Sequence, residues 1–283
     1  MNAQDTDFTL FCREPTIDLS LPVAMGILNV TPDSFFDGGK YNSTETALAH
    51  ALEMVNEGAK IIDIGAVSTR PGAERISAEV EWGRLEKIIP LLKEKLPQTI
   101  FSVDTYHSVI AKKAVDAGVH FVNDISGGTM DDKMFGTIAE LNVPYVLMHI
   151  QGTPETMQEN PTYGNVVDEV KFYFERNIEK LNALGVKNII LDPGFGFGKT
   201  VEHNYQLLNA LDEFVKIGFP VLAGLSRKSM VTRFFGVGKN ETLNGTTILN
   251  TIALQKGAKI LRVHDVKEAV ECIRIHSYLD SMC

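Results

Sequence analysis

Three polar residues close short apolar runs in this chain. Asp104 ends "TIFSVD" (99–104), Asn123 stands in "VHFVND" (119–124), and Asp192 ends the apolar part of "KNIILDP" (187–193). Two carboxylates and an amide so placed can hydrogen-bond a flat heterocycle edge-on, because a 2-amino-4-oxo-pyrimidine edge presents neighbouring N–H donors much as a guanidinium does. A second set is cationic. Arg70 lies in "STRPGAE", Arg227 and Lys228 in "SRKS", and Arg262 and His264 in "RVH", where strand alternation turns the last two the same way. Cations on several segments suit an anionic ligand with more than one phosphate, whereas any one alone suits a surface ion pair.

The stretch "LDPGFGFGKT" (191–200) looks like a phosphate-binding loop and fails its rules. G-x-x-x-x-G-K-[ST] needs a glycine where Pro193 stands, and Lys199 occupies the third-glycine place of G-x-G-x-x-G. The reading that remains is that Asp192 holds a ring while the glycines let backbone and Phe197 come close. Lys199 is then expected to start a helix, facing solvent or the rim. A structural cap is the competing reading for Asp192. The carboxylates also allow a metal site, but the first apolar run carries no H-x-H and the seven histidines lack H-E-x-x-H spacing.

Something must bring these residues to one place. Eight apolar runs, rich in Val, Ile and Leu, read as strands buried on both faces: 23–30, 60–66, 99–104, 119–124, 144–150, 187–193, 220–226 and 258–264. Helix-period segments follow each run, among them "SAEVEWGRLEKIIPLLKEKL" and "VEHNYQLLNALDEFVKIG". Repeated strand–helix units predict a parallel sheet, and eight predict an α/β fold of the (β/α)8 TIM-barrel type, with an open doubly wound sheet as the alternative. The organisation expected is a single domain over 1–283, the barrel spanning about 22–280. Residues 1–20 form a short N-terminal hairpin extension that plugs the barrel floor. In a barrel, chemistry collects at the C-terminal ends of the strands. Those positions hold Asn29, Asp63, Asp104, Asn123, Asp124, His149, Asp192, Ser226, Arg262 and His264. The loop "TPDSFFDGGKYNS" after the first run has the length and glycine content of a lid.

Composition is that of a soluble globular protein: 283 residues, 44% hydrophobic, 22% charged. A net charge of −9 argues against general nucleic-acid binding and leaves room for a local basic pocket. Cys12, Cys272 and Cys283 make an odd count without C-x-x-C, which suits reduced thiols in a cytosol. No signal peptide is evident, and no apolar run approaches the roughly 18–20 residues of a membrane span.

The motifs "GILNVTPDSFFDGG", "IIDIGAVSTRPGA", "FSVDT", "VNDISG", "YVLMHIQGTPETMQ", "LDPGFGFGK", "GLSRKSM" and "LRVHDV" stand in the order seen in dihydropteroate synthase, a pterin-binding enzyme family. The resemblance covers residues 22–280. Two places depart from the family pattern: Phe36, where a small polar residue is usual, and Ala66-Val67 in "GAVSTRPG", where "GGESTRPG" is commoner. The resemblance implies a transferase of folate biosynthesis, a sulfonamide target. It condenses 6-hydroxymethyl-7,8-dihydropterin pyrophosphate with p-aminobenzoate to 7,8-dihydropteroate and pyrophosphate. It further implies that Asp104, Asn123, Asp192 and Lys228 hold the pterin, and that Asn29, Thr69, Arg70, Arg262 and His264 hold the pyrophosphate. Mg2+ would sit on Asn29 and Asp37, and p-aminobenzoate against Arg70, Pro71, Phe197 and Ser229. Asp104, Lys228, Arg262 and His264 are the implied catalytic groups, and the family is usually a cytoplasmic homodimer. A dissociative, SN1-like substitution fits an excellent leaving group on a methylene next to an electron-rich ring. The rival readings are a pterin-binding methyltransferase domain, which needs no pyrophosphate clamp, and a binding-only paralogue, which would show damage in that clamp.

Overall fold

The computed structural model describes residues 8–12, 16–31, 43–68, 72–73 and 75–282. Two short strands, β1 (Thr9–Phe11) and β2 (Thr16–Asp18), pair antiparallel. The eight apolar runs become β3 (Val23–Asn29), β4 (Ile61–Gly65), β5 (Ile100–Asp104), β6 (Phe121–Asp124), β7 (Tyr145–Met148), β8 (Ile189–Asp192), β9 (Leu222–Ala223) and β10 (Ile260–Val263). All eight are parallel, in the order β8-β7-β6-β5-β4-β3-β10-β9. A Leu191↔Val221 bridge joins the two end strands, so the sheet comes round on itself as a barrel. The expected (β/α)8 architecture holds, and the open-sheet alternative falls.

Among the described residues eleven α-helices lie between and after these strands: α1 (Ser43–Asn56), α2 (Ala78–Leu85), α3 (Ile88–Lys95), α4 (Ser108–Asp116), α5 (Met134–Leu141), α6 (Val166–Ala183), α7 (Val201–Asn209), α8 (Leu211–Val215), α9 (Ser229–Phe235), α10 (Leu243–Gln255) and α11 (Val266–Asp280). Two segments read as single helices are each divided. The first breaks between α2 and α3 because Pro90 has no N–H to donate and its ring crowds the Glu86 carbonyl, so the helix must restart. The second breaks at Ala210, and nothing in the local contacts explains why.

Strand alternation sorts the side chains into layers. Phe101 and Val103 face outward with Ile62, Ile64, Leu147, Leu191 and Leu261, against Ala51, Leu92, Ala111, Phe174 and Leu207 of the helices. The lowest inward layer is apolar: Met25, Ile61, Ile100, Phe121, Val146, Ile190, Leu222 and Ile260. Leu10, Ile17 and Leu19 of the hairpin pack into that same cluster, which makes the hairpin the floor of the barrel, as expected. Two residues further along the strands, the inward side chains turn polar: Asp63, Ser102, Asn123, Asp192 and Arg262. The barrel is thus dry at one end and charged at the other.

Leu19 is fully buried in the floor, at the end of the barrel away from the polar layer. Leu19→Ala is expected to cost about 2–5 kcal/mol in urea unfolding, with kcat/KM unchanged below the transition. A loss of activity in the folded variant would show that the floor reaches the mouth.

Candidate active site

The polar layer is built around Arg262 on β10. Its Nε donates to Asp63 Oδ2 at 2.7 Å and its Nη2 to Asp104 Oδ2 at 2.6 Å. Asp63 is wholly buried and also accepts from Ser102 Oγ below it and from Asn123 Nδ2 at 2.8 Å. The amide of Asn123 is therefore oriented by a carboxylate: its donor is used on Asp63, and its oxygen is left facing the mouth. Asp192 ends β8, and one of its oxygens, Oδ1, accepts from Gly194 N at 2.7 Å. It is a cap and a candidate ligand group at once, because Oδ2 remains. Among the described residues, Asp104 Oδ1, Asn123 Oδ1 and Asp192 Oδ2 are left without a hydrogen-bond partner, three acceptors at the ends of β5, β6 and β8.

Cations and a neutral donor face them. Lys228 caps α9, and its Nζ lies 4.3 Å from the centroid of the Phe197 ring. Ser226 holds the His264 ring in place: its Oγ accepts the His264 backbone N–H and lies 3.1 Å from Nδ1, and when the hydroxyl donates to Nδ1 the ring proton is on Nε2. Burial, then the nearby arginines Arg262 and Arg227, push the His264 pKa down to about 4, so the ring is a neutral donor at pH 7. Burial lowers Lys228 to about 8, with Arg262 adding to the effect and Asp192 opposing it. Burial pushes Asp104 up to about 7; Arg262 pulls it back, and the like charge of Asp63 adds to the rise. Asp192 also rises through burial, opposed by the Gly194 N–H. For Arg262 burial works against the charge, but Asp63 and Asp104 outweigh it and raise its pKa.

The glycines of "DPGFGFGK" have specific work. Gly194 has φ +71°, and a Cβ there would land on the His149 carbonyl oxygen; Gly198 has φ +62° and meets Gln151 O in the same way. Only glycine lets this loop lie flat on the loop after β7. That packing brings the buried Phe197 to the mouth beside Val67, Tyr106, Ile125, Met148 and Met157, an apolar wall above the polar layer. Lys199 does not face solvent as its near-miss motif suggested. It is 2% exposed and folded inward, because three left-handed glycines precede it and α7 starts only after Thr200.

Asp104, Asn123, Asp192, Lys228, Arg262 and His264 come together as the sequence suggested. Asn29 ends β3, and its amide oxygen flanks Gly65 together with the Asp104 carboxylate. Ser229 follows Lys228 at the exposed start of α9. Asp37, Thr69, Arg70 and Pro71 lie outside the described residues, as does most of the loop read as a lid. Sequence reasoning placed Asp63 on the rim without a role. Its alternation with Ile61 pointed it inward, but no pattern in the sequence named Arg262 as its partner.

Residues 25–264 match the model of the pterin binding enzymes. The dihydropteroate synthase of Escherichia coli (strain K12) is 45% identical over 268 residues, 94% of each chain. The chain belongs to the dihydropteroate synthases. The Yersinia pestis dihydropteroate synthase solved with a sulfonamide drug superposes with a TM-score of 0.91 at 41% identity, over 97% of this chain and 100% of that one. A Xanthomonas albilineans dihydropteroate synthase solved with 4-aminobenzoic acid gives 0.91 at 37% identity, over 97% and 99%. Membership fits the frame, since three acceptors flanked by cations are what a donor-rich ring carrying an anionic tail requires.

Asp63→Asn keeps the shape and removes the deepest charge. Breaking a buried pair from one side typically costs about 3–5 kcal/mol, and that loss is expected in denaturant unfolding. Activity should fall as well, because Asn123 and Arg262 both lose their orienting partner. A folded variant with wild-type kcat/KM would mean that the frame is not needed.

Proposed function

We propose that this chain joins 6-hydroxymethyl-7,8-dihydropterin pyrophosphate to p-aminobenzoate, releasing pyrophosphate and forming 7,8-dihydropteroate. The observation that carries the reading is the acceptor set Asp104 Oδ1, Asn123 Oδ1 and Asp192 Oδ2. A 2-amino-4-oxo-pteridine edge is rich in N–H donors and matches acceptors, where a second donor would clash. Lys228 supplies donors for the ring's oxygen and nitrogen acceptors. Arg262 has its Nη1 hydrogens left for the leaving group, and His264 offers Nε2–H, so both face the pyrophosphate with Asn29, Thr69 and Arg70. The pyrophosphate clamp favours this reaction over the methyltransferase reading. The apolar wall with Phe197, next to Ser229 and in sequence reach of Arg70 and Pro71, is the place for the aromatic ring of p-aminobenzoate. A sulfonamide, as an aromatic amine of similar shape, would compete there.

A dissociative order of events fits these charges. The C–O bond to pyrophosphate breaks first, and the cation spreads over the pterin ring beside the carboxylates of Asp104 and Asp192. The electron pair leaves with pyrophosphate, towards Arg262 and His264; a single well-placed donor is worth about 10²–10³ in rate. The neutral aromatic amine then forms the C–N bond and gives up its proton without a strong base. Mg2+ is compatible with the donors present: Asn29 contributes a hard amide oxygen at the mouth, and Asp37 is the second expected ligand. Among the described residues no group of three His, Cys, Asp or Glu side chains could hold a metal alone, so oxygens of the pyrophosphate would complete its shell. When bound, the ion neutralises charge on the leaving group.

A homodimer is supported by an apolar stripe on α11. Ile275, Tyr278 and Leu279 recur at helical spacing, each more than half exposed, Met282 is exposed in the turn just past the helix, and Ile248 is exposed on the neighbouring α10. Among the described residues no helix is long and apolar enough to cross a membrane, and with the acidic net charge we place the enzyme in the cytosol, acting on free small molecules.

Pyrophosphate release from the dihydropterin substrate should require p-aminobenzoate for turnover, and Asp192→Asn should weaken pterin binding by about 10- to 150-fold, the worth of a charge-assisted hydrogen bond. Without p-aminobenzoate, a label in the oxygen that joins carbon to phosphorus should scramble into the non-bridging oxygens of that same phosphorus if the C–O bond opens first. No scrambling counts against the dissociative order, and no product with p-aminobenzoate sinks the assignment. In sedimentation the wild type is expected at the mass of two chains and Tyr278→Glu at the mass of one. A monomeric wild type would contradict the dimer.

A further inference from the structure

Lys199 is buried, yet among the described residues it pairs with no carboxylate. Its Nζ lies 3.0 Å from His149 Nδ1, 3.0 Å from Gly194 O, 3.0 Å from Phe197 O and 3.3 Å from His149 O. Three carbonyl oxygens and one imidazole nitrogen thus surround a single amine, and burial lowers the Lys199 pKa to about 7, with Asp192 opposing the fall, so the pocket is a socket that holds the group by hydrogen bonds in place of an ion pair. Burial pushes the pKa of His149 down to about 2, with the Lys199 charge adding to the effect, so the imidazole beside the lysine stays neutral.

The socket joins two loops. His149 belongs to the segment after β7, and Gly194 and Phe197 to the segment after β8. Other ties run alongside: Gln158 Nε2 donates to Gly196 O and Tyr163 Oη to Gly198 O, both at 2.8 Å. Only the lysine reaches the carbonyl of Phe197 and the carbonyl of Gly194 together, and the N–H of that same Gly194 holds Asp192. The Phe197 ring in turn lies under Lys228. Lys199, outside both proposed subsites, therefore fixes the carbonyl of Phe197 directly and reaches Asp192 only through Gly194.

We infer that Lys199 is a positioning residue for the reaction: the hydrogen bonds of its amine lock the loop after β8 onto the loop after β7 and so set the Phe197 ring that borders the aromatic amine. The inference rests on the placing of p-aminobenzoate against Phe197 proposed above. Two features separate it from plain stability. The lysine adds no apolar packing that a methionine would not, and its hydrogen bonds go to Gly194 and Phe197 and not to the core residue Phe195 of the same loop.

The test uses purified Lys199→Met, which keeps the length of the chain and removes the amine. Amide hydrogen exchange is followed over 194–198, together with kcat and the KM of each substrate below the melting transition. The expected result is exchange faster by about tenfold or more in that loop, with the strands unchanged, and a KM for p-aminobenzoate raised about tenfold, with pterin affinity moved by less than about threefold. Unchanged loop exchange, or faster exchange with both KM values unchanged, overturns the inference. Phe197→Leu is measured in parallel. If it leaves the KM for p-aminobenzoate unchanged, the placing of that substrate at Phe197 fails, and with it the functional half of the inference, whatever the exchange shows. Should Lys199→Met not fold, His149→Leu removes one partner and leaves the lysine; a raised KM for p-aminobenzoate is then expected, and an unchanged one overturns the inference.

Discussion

Arg262 is shared by two buried carboxylates, and the chemistry of the mouth follows from how that one guanidinium is divided. Its Nε is spent on Asp63 and its Nη2 on Asp104. Ions taken out of water cost several kcal/mol each even after relaxation, so such a cluster is a poor device for stability alone. It makes sense as a device for orientation. Asp63 takes the donor of Asn123, which turns that amide's oxygen outward, and Arg262 takes one oxygen of Asp104, which leaves the other. Three acceptors then face the same space before any ligand arrives, the kind of preorganisation that spares reorganisation during reaction.

The frame depends on what lies beneath it. The inward layer below is apolar and closed by the hairpin residues Leu10, Ile17 and Leu19. Water is kept from one side of the charges, and interactions there are stronger than in solvent. One cause, burial, accounts for three shifts that would otherwise look unrelated: Asp104 rises, Lys228 falls and His264 falls. Each serves the proposed chemistry. A neutral His264 can donate without repelling Arg262, and a carboxyl that is costly to ionise when empty is relieved by N–H donors or by positive charge on a bound ring.

Much of this was legible in the chain because a parallel barrel converts sequence position into height. A polar residue that interrupts an apolar run near its end has to be at the mouth, so Asp104, Asn123, Asp192 and Arg262 could be grouped from spacing alone. Partnership was not legible. Asp63 was visible as a polar strand residue, but its bond to Arg262 spans 199 positions, and only the placing of β10 beside β3 brings the two together. Lys199 was misread for a different reason. It stands where the next helix was expected to begin, facing solvent or the rim, and its inward turn depends on left-handed backbone at Gly194, Gly196 and Gly198, a feature of conformation with no periodic signature. The division of the helix at Pro90 was readable from proline chemistry and was masked by a strong amphipathic pattern on both sides.

The family motifs settle what reaction to look for, and the ion frame explains why this set of side chains suits it. The claim that most depends on the structure is that Asp104 sits buried and relies on Arg262 for its charge. Carboxyl 13C chemical shifts of Asp104, followed against pH in the ligand-free enzyme and in Arg262→Gln, measure it directly. The account predicts a midpoint near 7 in the wild type, well above the ordinary aspartate value of about 3.9, and a further rise when Arg262 is replaced. A wild-type midpoint in the ordinary carboxylate range, or one that does not rise without the arginine, would contradict it.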